Sequence, residues 1–145
     1  MKRIILSIFL AIMLLMSPLL GVCGDKQATV SAVKIIDAEE IDASGSYTTS
    51  VIDLAQTRGY FSIQYEITGD GTLILSYTMS NDGTNYLLPS GSSTIATGLT
   101  KTSGPGGDGK DILPFTPPVA KFIKFVATET STTDSATITM YHAIQ

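Results

Sequence analysis

The chain has 145 residues, a net charge of −4 and a sequence pI near 4.7. An acidic chain repels phosphate backbones, which sets nucleic acid aside as a partner. One cysteine and one histidine leave no internal disulfide and little material for histidine-based chemistry.

The chain opens on Met1-Lys2-Arg3, and Ile4 to Leu20 is almost unbroken apolar sequence with Pro18 near its end. Val22-Cys23-Gly24 places small residues where a signal peptidase cleaves, with Val22 at −3 and Gly24 at −1. Residues 1–24 therefore read as a secretory signal peptide and residues 25–145 as one exported domain. Two alternatives share the segment. An apolar run of about 18 residues can span a bilayer as an uncleaved anchor. Leu20-Gly21-Val22-Cys23 is an imperfect lipobox, with Cys23 as the lipidation site and Asp25 two residues after it. Contact with a membrane is expected only through one of these devices. The positive mean hydropathy of +0.27 reflects this leader. Without Lys2 and Arg3, seven basic residues face thirteen acidic ones, a net −6 for the domain.

Beyond the leader, Thr, Ser, Gly, Val and Ile dominate, which are strand and turn formers. Thr29–Asp37 alternates weakly and predicts a first strand, followed by a polar connection over Ala38–Ser46. Tyr47–Leu54 predicts a second. Tyr60–Thr68 alternates most cleanly, with Phe61, Ile63, Tyr65 and Ile67 on one face. Gly69-Asp70-Gly71 then predicts a tight hairpin turn into Thr72–Ser80, whose buried face is Leu73, Leu75, Tyr77 and Met79. Asn81-Asp82-Gly83 is a further turn. Tyr86–Leu88 starts a short strand that Pro89 ends, and Thr94–Ala96 is a weak edge strand. Thr102–Asp111 is a glycine-rich surface loop, and Pro114, Pro117 and Pro118 exclude a central strand there. Lys121–Thr128 and Ser135–Ile144 complete the chain, the latter with Ala136, Ile138, Met140, His142 and Ile144 on one face. About eight short strands at turn-spaced intervals predict an all-β, antiparallel β-sandwich of jelly-roll type.

Ser80-Asn81-Asp82-Gly83-Thr84-Asn85-Tyr86 resembles the S-x-D-G-x-N-W/Y segment of discoidin-like (coagulation factor type C-like) jelly rolls. It is similar also to SNDGTNW segments in β-sandwich proteins of phage particles. Ala120-Lys121-Phe122-Ile123-Lys124-Phe125 looks like a later strand of the same families. Tyr86 stands where the family carries Trp, and Lys124 where it carries Arg. The resemblance implies a sandwich that works by binding or assembly, with ligand-contacting loops at one end. The candidate rims are Asn81, Asp82, Asn85 and Tyr86 in one segment, and Asp108 and Asp111 in the segment Gly104–Asp111.

Catalytic constellations are thin. His142 sits on the apolar face of the last strand, where a core-edge histidine with one hydrogen bond is the plain reading. Glu39, Glu40 and Asp42 read as solvated charge in a loop. Asp108 and Asp111 with nearby backbone carbonyls make a candidate Ca²⁺ loop, against which Lys110 between them argues. No other cofactor is indicated. Tyr47, Tyr60, Tyr86 and Tyr141 are candidates for an aromatic sugar platform. The sequence thus leaves two functional classes. One is a structural or interaction protein that binds a protein partner or its own copies at the envelope, the cell surface or in a phage-like assembly. The other is a discoidin-like module for a glycan or other extracellular ligand. An enzyme ranks last.

Overall fold

The computed structural model describes residues 30–55, 61–91 and 93–144. Residues 1–24, read above as a signal peptide, and Cys23 and Tyr60 among the candidate residues lie outside them. The described residues form nine strands: β1 (Ser31–Ile41), β2 (Ser46–Thr48), β3 (Ile52–Asp53), β4 (Phe61–Gly69), β5 (Leu73–Ser80), β6 (Thr94–Leu99), β7 (Lys110–Phe115), β8 (Phe122–Glu129) and β9 (Ala136–Ile144). One sheet has the order β1-β9-β4-β7. The other has the order β2-β8-β5-β6, with β3 also on β8. Every pairing is antiparallel. This is a jelly-roll β-sandwich, with no helix among the described residues.

The alternation read from the sequence sets the faces. Ile63, Tyr65 and Ile67 of β4 are buried, as are Leu73, Leu75, Tyr77 and Met79 of β5. Ile123, Phe125 and Ala127 of β8 meet Ala136, Ile138 and Met140 of β9 across the same core. Each fully buried Ile, Leu or Phe side chain contributes about 1.5–3 kcal/mol relative to exposure. Phe115 bridges the sheets, with ring centroids 5.5 Å from Phe61 and 5.6 Å from both Tyr77 and Phe125.

Four expectations change. The Gly69-Asp70-Gly71 segment is not a hairpin turn, because β4 and β5 lie in opposite sheets. Both are central strands already flanked on each side, by β7 and β9 and by β6 and β8. Their matching apolar faces look at each other across the core instead of lying side by side. Second, the strand expected over Tyr47–Leu54 is split at Thr49. The Thr49 hydroxyl accepts the Phe125 N–H at 3.0 Å while its own N–H reaches the Phe125 carbonyl at 2.9 Å. Third, a strand that was not expected, β7, runs through Pro114, while the one expected over Tyr86–Leu88 is reduced to a single bridge between Leu87 and Met79. The edge position of β7 tolerates a residue that donates no ladder bond. Fourth, Glu39 and Glu40 belong to β1, not to a loop. That strand continues through two register shifts, with Ala38 at φ 49°.

An apolar groove at one end of the sandwich

The alternating topology sends the connections to two ends. At one end the β1–β2, β4–β5, β6–β7 and β8–β9 loops are tied together. Ser44 N–H donates to the Ser131 carbonyl at 2.9 Å, Gly71 N–H donates to Ser135 at 2.9 Å, and Lys101 pairs with Asp70. At the other end the β5–β6 loop meets the β7–β8 loop, where Lys121 N–H donates to Asn81 Oδ1 at 3.1 Å. Asn81, Asp82, Asn85 and Tyr86 therefore sit at one end, and Asp108 and Asp111 near the other. The structure does not join the two segments into a single rim.

Asp82 builds its own loop. Its Oδ1 accepts from the Ser80 hydroxyl and from the N–H groups of Thr84 and Asn85, each at 2.8 Å. Its Oδ2 accepts from Asn85 Nδ2 at 2.7 Å. Ser80 Oγ in turn accepts the Gly83 N–H at 2.9 Å. Gly83 takes φ 74°, and a Cβ there would come 3.1 Å from the Phe122 ring. The Asn85 and Thr84 N–H groups, with the Asn85 and Ser80 side chains, hold the Asp82 carboxyl well below the usual carboxylate range. This carboxylate is a loop brace, with its acceptors taken up locally.

The tyrosines do not form an open platform. The Lys124 ammonium lies 4.1 Å from the Tyr86 ring centroid and the Lys34 ammonium 5.6 Å from that of Tyr141. The Tyr86 hydroxyl is buried with no partner among the described residues. Tyr47 is half-buried against the core.

At the far end, Asp108 is exposed and Asp111 accepts the N–H of Ile112 at 2.7 Å. Lys110 is paired with Glu66 at 3.0 Å. No three His, Cys, Asp or Glu side chains cluster to hold a metal among the described residues. Glu129 is more notable there. It is 2% exposed, and its Oε1 accepts the N–H groups of Thr72 at 2.7 Å and Ser131 at 2.8 Å. Its Oε2 has no partner among the described residues and packs against Gly71, where any Cβ would overlap it. His142 is 6% exposed, deeper than a core-edge residue, and neither ring nitrogen is hydrogen-bonded among the described residues. Burial pushes its imidazole pKa down, which keeps it neutral.

What the first of these segments does frame, with the β7–β8 loop, is a groove of about 420 Å³, lined by Met79, Asn81, Asn85, Leu87, Leu88, Pro89, Pro118 and Val119 among others. Leu87 is 69% exposed, Leu88 68% and Val119 fully exposed. These apolar side chains escaped the reading of the sequence. Their only signal was an apolar pair or a valine set beside loop prolines, in Leu87-Leu88-Pro89 and Pro117-Pro118-Val119.

No family model matches the chain, and no curated protein matches it. Solved structures do. The infectious bursal disease virus VP2 subviral particle aligns with a TM-score of 0.50 at 13% identity, over 80% of this chain and 32% of that one. The Gx strain of the same virus gives the same values. The chain thus spans about a third of the VP2 chain's length, and at this identity the likeness is one of fold. A family 6 carbohydrate-binding module aligns at a TM-score of 0.35 and 14% identity, over 79% of this chain and 82% of that one.

Proposed function

We propose that this chain is an exported, non-catalytic β-sandwich that works by protein–protein contact at the cell envelope or surface, or within a phage-like assembly. The observation that carries it is the loop end bearing Leu87, Leu88 and Val119, three large apolar side chains exposed together around one groove. Soluble domains seldom keep such side chains in water without a partner. Export rests on the pattern of residues 1–24. The VP2 chain whose fold it shares comes from a subviral particle, and that likeness adds fold alone. The test is light scattering after size exclusion on the exported chain, alongside capture of partners from the envelope fraction. Contact that disappears in Leu88→Asp and Val119→Asp variants supports the reading. Binding that ignores both substitutions removes its basis.

A second reading has one observation in its favour. About 420 Å³ is within the size range of small-ligand sites, and the groove mixes apolar walls with the amides of Asn81 and Asn85. A discoidin-like module for a glycan or similar ligand would use it. Glycan-array binding that is lost on Asn85→Ala, by a chain that stays monomeric, would favour this reading over the first.

A further inference from the structure

The sandwich has four sheet edges, and three of them are blunted. Ile67 N–H donates to the Gly109 carbonyl at 2.9 Å, which fixes the hydrogen-bonding phase of β4 on β7. Residues 111, 113 and 115 then face β4, and residues 110, 112 and 114 face outward. The outward N–H of Ile112 is spent on the Asp111 carboxylate, and Pro114 has none. The β6 edge is broken by register shifts and by Gly98 at φ 69°. The β2–β3 edge is two fragments of 3 and 2 residues. These are the devices by which sheets avoid joining.

The β1 edge carries the same devices beyond Lys34, with two register shifts and Ala38 at φ 49°, and differs over its first residues. Carrying the same phase through β4 and β9, Val33 bonds to His142 while Ala32 and Lys34 turn their N–H and C=O groups outward. The register is regular from Ser31 to Lys34 before the first shift. We infer that a second copy of this chain adds to the sheet here, antiparallel about a two-fold axis at Val33. That register is self-complementary. Ala32 faces Lys34 of the other copy in hydrogen-bonded pairs, and the two copies of Val33 meet as a non-hydrogen-bonded pair. Val33 is 47% exposed as a monomer, and the contact covers it. Charge favours this site too. Lys34 is neutralised by its own Asp37 at 2.8 Å, so residues 32–37 carry no net charge in a domain that otherwise repels its copies. The product is one continuous eight-stranded sheet.

The test uses the full chain with Cys23→Ser. In a non-hydrogen-bonded pair the Cα atoms lie about 4.5 Å apart, within disulfide reach. Val33→Cys is therefore expected to give a disulfide-linked dimer on mild oxidation, and Ile112→Cys on the blunted β7 edge is not. Ala32→Pro removes an outward N–H that β9 does not use. It is expected to return the doubled mass in light scattering to that of a monomer, with an unchanged circular dichroism spectrum. Equal cross-linking at both thiols, or a monomer at every concentration, overturns the inference. A dimer that survives Ala32→Pro but is lost in Leu88→Asp overturns it as well, while leaving the groove-based reading intact.

Discussion

Glu129 should act as the clasp of the acidic loop end. Its carboxylate holds the β4–β5 connection through Thr72 and the β8–β9 connection through Ser131. Hydrogen bonds to a charged acceptor are worth about 1.5–3 kcal/mol each. Both donors lie in partly buried surroundings, so water recovers some of the loss when the acceptor is removed. Glu129→Ala is accordingly expected to cost about 2–4 kcal/mol, a large part of the 5–15 kcal/mol that holds a typical domain. Glu129→Gln keeps an acceptor at Oε1 but makes it neutral, and places an amide N–H₂ against Gly71 in the position of Oε2. About 1–2 kcal/mol is expected, since charge-assisted bonds are roughly twice as strong as neutral ones. Urea unfolding followed by circular dichroism measures both. The midpoint should move while the slope stays constant, because the exposed surface is unchanged. A glutamine variant as unstable as the alanine variant would refute the reasoning, for it would mean that the charge, and not the two accepted bonds, holds the loops. A loss below 1 kcal/mol in the alanine variant would show that the two connections hold without the clasp.

His142 predicts an acid-sensitive core. Its folded pKa is depressed by burial, so the unfolded chain binds the proton more readily. Stability should fall as pH drops from about 6.5, the ordinary histidine value, toward the lower folded value, by at most about 1.4 kcal/mol per pH unit. In His142→Leu that slope should flatten, as read by urea midpoints across the range. Asp82 predicts the opposite robustness in its loop. Its lowered carboxyl means that the loop contribution is complete above the ordinary aspartate value and is lost only well below it. The amide resonances of Thr84 and Asn85 should therefore hold their positions through about pH 3.9, the ordinary aspartate value, and an Asp82→Asn variant should lose their protection from hydrogen exchange. Gly83→Ala should cost about 1–3 kcal/mol from the left-handed backbone alone, with the Phe122 ring adding to it, and thermal unfolding checks this.

Most of the sandwich was legible because the signal is period two. The apolar faces of β4, β5 and β9 read directly from alternation, and the structure buries them. What alternation cannot tell is which strands are neighbours. Gly69-Asp70-Gly71 has the chemistry of a hairpin, but the same residues make a crossing between sheets once β8 and β9 have claimed the flanks of β5 and β4. The strand β7 was hidden by Pro114, which is compatible with an edge and with nothing more central. At the candidate site, Asn81, Asp82, Asn85 and Tyr86 were found because turn chemistry is local. Their company was not found, since Val119 reaches the groove from a different loop and only the paired ends of β5 and β8 bring it there.

The distribution of charge between the two ends bears on how contacts form. Asp42, Asp70, Asp108 and Asp134 all lie on connections at one end, where Lys101 pairs with Asp70 and Lys110 with Glu66. The opposite end combines Lys121 and Lys124 with the exposed Leu87, Leu88 and Val119. An acidic end stays hydrated and repels its like, so close approach of a partner is favoured at the apolar end or along an uncharged edge. Three blunted sheet edges restrict the choice further, because they deny an incoming chain the free N–H groups that strand addition needs. The same sequence features that keep this disulfide-free domain from joining its neighbours indiscriminately thus leave two surfaces on which contact is cheap: the groove between the β5–β6 and β7–β8 loops, and the first residues of β1.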